Sequence, residues 1–142
     1  MRASLLVVAV VVLALSRSQA ADAPGYRVIV HPNNPATVVE RKFLSDAFLR
    51  KTTFWPDGVL IGPVDQAANS PVREKFSEDA LGRSVATVKG YWQQRIFSGR
   101  DLPPPEVEGD AGVVKFVIEH PGAIGYVAGD ADVGRAKVLT VN

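Results

Sequence analysis

The stretch VLIGPVDQAANSPVREKF, residues 59–76, decides how the chain is read. Its first third, 59–64, is an apolar run rich in β-branched residues and reads as a strand, with Gly62-Pro63 suited to a bulge or an edge position. At Asn69-Ser70-Pro71 the pattern changes to a charged, amphipathic one. Ser or Asn followed by Pro starts a helix, because the side-chain oxygen caps a free N–H and Pro needs no hydrogen bond in the first turn. The spacing predicts a helix over 71–81 with Val72, Phe76 and Ala80 on one stripe and Gly82 as its stop. A strand feeding a capped helix is an α/β unit, and in such sheets ligands collect where helix N-termini converge beyond the strand ends. The free N–H groups and dipole of this helix start, with Asn69 and Ser70, form a candidate anion site.

Working outward, YRVIVHP (26–32) reads as a buried strand ended by Pro32, and NNPAT (33–37) as a turn whose Thr37 can cap the next element. Residues 38–51 are predicted as an amphipathic helix, with Val39, Phe43, Leu44, Ala47 and Phe48 recurring at helical spacing. Residues 55–58, WPDG, form a turn. Ser84 opens a further helix with Val85, Val88, Trp92 and Ile96 on one face, ended by Gly99. The Pro-rich run 99–110 is a surface connection, and Asp110 can cap AGVVKFVIEH, a short helix apolar on most sides. Strands are expected at 123–127 and 136–141. The order implies an α/β domain with a small mixed or parallel sheet covered by helices.

The first twenty residues, MRASLLVVAVVVLALSRSQA, carry a basic start, an apolar run at 5–15 and small residues at Ser18 and Ala20, the pattern of a cleaved secretory signal peptide. That run is shorter than the ~20 residues a helix needs to cross a bilayer, so no membrane span is expected after cleavage. Residues 21–142 suffice for one domain. Without Arg2 and Arg17 the 16 basic residues fall below the 15 acidic ones, and no basic face for nucleic acid is implied. The chain has no cysteine, which excludes disulfides, thiol nucleophiles and a lipoprotein anchor. A soluble periplasmic location fits these features.

Little in the chain points to catalysis. The two histidines, His31 and His120, each flank a Pro at an element end, a poor basis for a metal site. Glu74, Glu78 and Asp79 share a helix with Arg73 and Lys75 as a solvated charged face. Trp55, Tyr91, Trp92 and Phe97 read as core packing in preference to an aromatic platform. No nucleophile, general base or phosphate-cradling loop with Lys-Ser/Thr assembles, so no enzyme and no cofactor is expected.

Several segments together resemble one lobe of the substrate-binding protein of the phosphate ABC transporter. They are VERKFLSDAFLRKTTFWPDG (39–58), LIGPVDQAANSPVREKF (60–76), Tyr91-Trp92 with Phe97-Ser98-Gly99, and above all GVVKFVIEHPGAIGYV (112–127). The resemblance implies one lobe of a type II periplasmic-binding-protein-like fold, with the anion held at the helix following the strand. The family's anion loop reads approximately Arg-x-x-x-Ser-Gly-Thr. Here Ser70 matches the Ser, Gln66 stands at the Arg position, and Pro71 and Val72 replace Gly and Thr. The candidate ligand-binding residues are therefore Ser70, Asn69 and Gln66, without the guanidinium that pairs an anion in bidentate fashion. Two functions stay open: a weakly binding phosphate or small-anion module in phosphate uptake, and a ligand-free interaction domain whose open face meets a second copy or another envelope protein.

Overall fold

The computed structural model describes residues 25–142. The signal peptide expected at 1–20 lies outside them, as does the start of the domain. Five strands form one mixed sheet in the order β2-β7-β1-β6-β3. Strand β1 (Tyr26–Val30) is central, antiparallel to both β6 (Ala123–Ala128) and β7 (Lys137–Val141). Its partners align Val28 with Tyr126 on one side and with Leu139 on the other. The edge strands β2 (Val38–Val39) and β3 (Gly62–Pro63) run parallel to β7 and β6.

Both faces of the sheet are covered, which is why β1 is apolar at nearly every position and does not alternate. On one face Val28, Val30, Ile124, Tyr126 and Leu139 pack against Leu44 and Phe48 of α1 (Arg41–Phe48) and Phe76 of α2 (Pro71–Phe76). The Phe76 ring stacks on Tyr126 at 3.9 Å between centroids. On the other face Ile29, Ala123 and Val127 pack against Val113 and Val117 of α4 (Gly109–Glu119). Here Gly125 is required, since a Cβ at that position would lie 2.5 Å from Val113 Cγ1 and 2.9 Å from Val64 Cγ1.

The predicted helix over 38–51 is shorter than expected. Val38 and Val39 pair with Thr140 and Val141, because β-branched residues next to an open strand edge gain ladder hydrogen bonds that an isolated first helical turn lacks. Thr37 caps nothing: its carbonyl accepts from Thr140 N at 3.0 Å, and Glu40 holds the N-cap position of α1 without a side-chain bond. The strand expected at 59–64 is broken up. Val59 closes the Trp55–Gly58 turn through Trp55 N–H (2.8 Å), Leu60 bridges Phe54, and only Gly62 and Pro63 join the sheet, at its edge. The chain then forms β4 (Asp65–Gln66), which pairs in parallel with β5 (Glu106–Val107) as a separate two-stranded unit. Residues 71–81 are helical throughout, but Ser77–Leu81 winds as a π-turn before Gly82, whose φ of 62° suits a left-handed stop. Helix α3 (Val85–Phe97) is capped by Ser84 as expected and buries Val88 and Trp92, while Ile96 stays exposed. Helix α4 begins at Gly109, with Glu108 and not Asp110 at its N-cap, and buries one stripe only.

Candidate functional site

Strand β4 and the loop 67–70 carry the chain from the sheet to α2, and β5 brings the Pro-rich connection back alongside. Between them lies an open cleft of about 650 Å³ bordered by Asn69, Ser70, Pro71, Glu106 and Glu108. All three residues singled out in the sequence, Gln66, Asn69 and Ser70, border this cleft. Their roles differ.

Ser70 is the N-cap of α2. Its hydroxyl oxygen accepts from Arg73 N (3.3 Å), and its O–H donates to Gln66 Oε1 (2.8 Å). Its carbonyl accepts from Glu74 N at 3.2 Å. Pro71 has no N–H, so the first-turn donor with no acceptor among the described residues is the Val72 N–H. Asn69 is exposed on the cleft wall. Gln66 is buried, and its amide is fully engaged: Nε2 donates to Asp110 Oδ1 (3.0 Å) and to Tyr126 O (3.1 Å). Asp110 Oδ1 also accepts from Ala128 N at 3.1 Å, so the residue expected as a helix cap instead ties α4 to β4 and β6.

Beneath the cleft is an ionic cluster that the sequence reading placed elsewhere. Arg73 is buried at 7% exposure, not part of a solvated face. Its Nε lies 3.4 Å from Asp65 Oδ1, and its Nη1 donates to Glu106 Oε1 (2.6 Å) and to Gln66 O (2.8 Å). Tyr126 donates its phenol O–H to Asp65 Oδ1 and accepts from Gln66 N at 3.2 Å. Burial pushes the Asp65 carboxyl above the usual carboxylate range, with Arg73, Tyr126 and the Gln66 N–H pulling it back in part. Burial also opposes the charge on Arg73, but Asp65 and Glu106 more than offset it and the guanidinium stays above its ordinary value. The Tyr126 phenol is raised by burial and then by Asp65. A signal for this cluster existed: Arg73 stands three before Phe76 and seven before Ala80, on the apolar stripe and not beside it.

The arrangement offers an anion one free N–H and a helix dipole, and the Ser70 hydroxyl only if its proton turns away from Gln66 Oε1, set against the carboxylates of Glu106 and Glu108 that also border the cleft. The one nearby guanidinium is already paired twice. The histidines and the exposed or buried aromatic side chains have local roles. His31 Nδ1 accepts from Asn33 N at 3.1 Å, and His120 Nδ1 lies 2.7 Å from Phe116 O. Among the described residues no group of three His, Asp or Glu could hold a metal ion, and no helix is long and apolar enough to cross a membrane. Trp55 is buried and donates to Gly122 O (2.9 Å), Trp92 is buried on α3, and Phe97, expected in the core, is 97% exposed.

Comparison with solved structures places this fold. A phosphate ABC transporter substrate-binding protein from Clostridium perfringens, with bound phosphate, matches with a TM-score of 0.65 and 20% identity over 82% of this chain and 44% of its own. An ABC-type phosphate transport receptor from Vibrio cholerae matches at 0.62 with 19% identity, covering 82% and 46%. PstS from Borrelia burgdorferi matches at 0.62 with 13% identity, covering 83% and 47%. The chain thus spans less than half of the length of each and has the fold of a single periplasmic-binding-protein-like lobe. No family model and no curated protein matches it.

Proposed function

We propose that the chain is an exported, phosphate-receptor-like binding module that takes phosphate or another small oxyanion weakly at the start of α2, as part of phosphate uptake. The observation that carries this reading is a Ser-capped helix start opening on a cleft, in a lobe shaped like half of proteins described as phosphate receptors. The leader-like first twenty residues and the transport role in the neighbours' descriptions support export to the periplasm. The activity assigned is binding, not turnover.

Weak affinity follows from the donor count. A charge-assisted hydrogen bond contributes ~1.5–3 kcal/mol, and Gln66 supplies none where the related loops have Arg. One backbone N–H, with a Ser70 hydroxyl that must first leave Gln66 Oε1, corresponds to a Kd no tighter than about 1 mM, near −4 kcal/mol. Calorimetric titration with inorganic phosphate is expected to give saturable binding in that range, weakened about tenfold by Ser70→Ala through loss of one hydrogen bond. A flat titration into high millimolar phosphate would remove the reading.

One observation favours a second reading, a ligand-free interaction lobe. Ser70, Gln66 and Arg73 are hydrogen-bonded to one another and to the fold, and two carboxylates face the cleft. In that case the open face meets a second copy or another envelope protein. Light scattering across a concentration series that shows a strict monomer would count against the second copy.

A further inference from the structure

The C-terminal turn of α3 carries an apolar tip beside a cluster of arginines. Phe97 is 97% exposed, Leu102 71% and Ile96 48%. Behind them, Arg83 and Arg95 lie over the Tyr91 ring, with guanidinium carbons 5.6 Å and 5.2 Å from its centroid. Arg100 shares with Tyr91, Arg95 and Ser98 a hollow of about 220 Å³. Arg50 joins from the far side: its Nε donates to Leu102 O at 2.9 Å, next to the Leu49 carbonyl that accepts from Tyr91 O–H at 2.7 Å. The one carboxylate bonded within the group is Asp101, on Arg95. The Arg95 Nε is buried without a hydrogen-bond partner.

Exposed large apolar side chains cost solubility, and four arginines converging with one acid raise a local positive field in a chain whose charges otherwise balance. The fold does not use this combination. Phe97 packs on nothing, and the cleft at α2 is formed by other residues.

From this turn we infer an interfacial docking surface for an anionic phospholipid bilayer. Phe97, Leu102 and Ile96 enter the headgroup boundary, and Arg100, with the remaining guanidinium nitrogens of Arg50, pairs with lipid phosphates, while Arg95 stays on Asp101. Basic side chains close in the chain to exposed apolar ones are the chemistry that recognises such a surface, because apolar area and charge attraction act together. Charge complementarity singles out this occupant over a neutral membrane or an apolar groove, and the Tyr91 stack holds two of the guanidiniums in place.

The absence of cysteine makes a site-specific test direct. An environment-sensitive fluorophore is attached at Phe97→Cys, and separately at Asp130→Cys on the exposed β6–β7 connection. Each labelled full chain is then mixed with vesicles of phosphatidylglycerol and phosphatidylethanolamine, or of phosphatidylcholine alone. The expected result is a blue shift at position 97 with the anionic vesicles only and none at position 130. Arg100→Glu in the position-97 chain should raise the lipid needed for half-maximal shift by about tenfold or more. Equal shifts with both vesicle types, no shift at 97, or indifference to Arg100→Glu would each overturn the inference. So would a shift that grows with protein concentration without vesicles, which assigns the surface to a second copy. Loss of the signal in inorganic phosphate but not in sodium chloride of the same ionic strength would make the hollow a free-anion site and overturn it as well.

Discussion

Replacing Arg73 by Met isolates the energetics of the buried cluster, because it leaves the Asp65 carboxylate in an apolar setting with only Tyr126 and one N–H as donors. Breaking a buried pair from one side costs ~3–5 kcal/mol at neutral pH. The sign of the pH dependence follows from Asp65. Its folded-state pKa is raised, so its contribution to stability is fully present below the ordinary carboxylate value of about 4 and fades as pH climbs through the raised value. Arg73→Met raises it further. The loss measured by urea denaturation is therefore expected to be large at pH 7 and to shrink toward pH 4. Tyr126→Phe deletes the phenol bonds to Asp65 and Gln66 and is expected to cost ~1–3 kcal/mol in the same assay. At this scale the sequence showed the helix cap and hid the cluster beneath it. Ser70-Pro71 is a local signal, whereas Arg73 sits in a run of alternating charges, REK, that looks solvated until its partners arrive from residues 65 and 106.

Elements of eight or more residues could be read from periodicity, and two-residue strands could not. Helices α1 and α3 stand within the predicted segments, α4 starts two residues before its own, and β1, β6 and β7 match the predicted strands to within a residue or two. By contrast β2, β4 and β5 are too short to show alternation, and each exists only because a partner strand distant in sequence lies beside it. The same nonlocal logic explains GAIGYV. Its Gly125 allows α4 to approach β6, with Val113 and Val64 filling the space a side chain would take. Gly125→Ala is expected to lower stability by ~1–3 kcal/mol through overpacking, with no loss of the α3 cap, as read from thermal melting and helix signal. Ser84→Ala should also destabilise, but locally, removing the acceptor for Thr87 N and costing ~1 kcal/mol at α3 alone.

For the whole molecule, a small mixed or parallel sheet covered by helices was visible in the order of elements, and so was an edge position for Gly62-Pro63, while the opposite edge at Val38-Val39 was not. On the proposed reading the cleft at α2 is open, so any phosphate affinity should depend on what closes it. If a second copy closes it, the apparent Kd for phosphate measured by calorimetry will tighten as protein concentration rises, and a monomer will show no such dependence. The sheet itself limits how copies can meet. Among the described residues its two borders are β2 and β3, each two residues long, and Pro63 removes a donor from one of them. Such blunt margins give an arriving strand almost nothing to zip onto, so lateral polymerisation and strand exchange are closed routes and contacts between molecules fall to helices and loops.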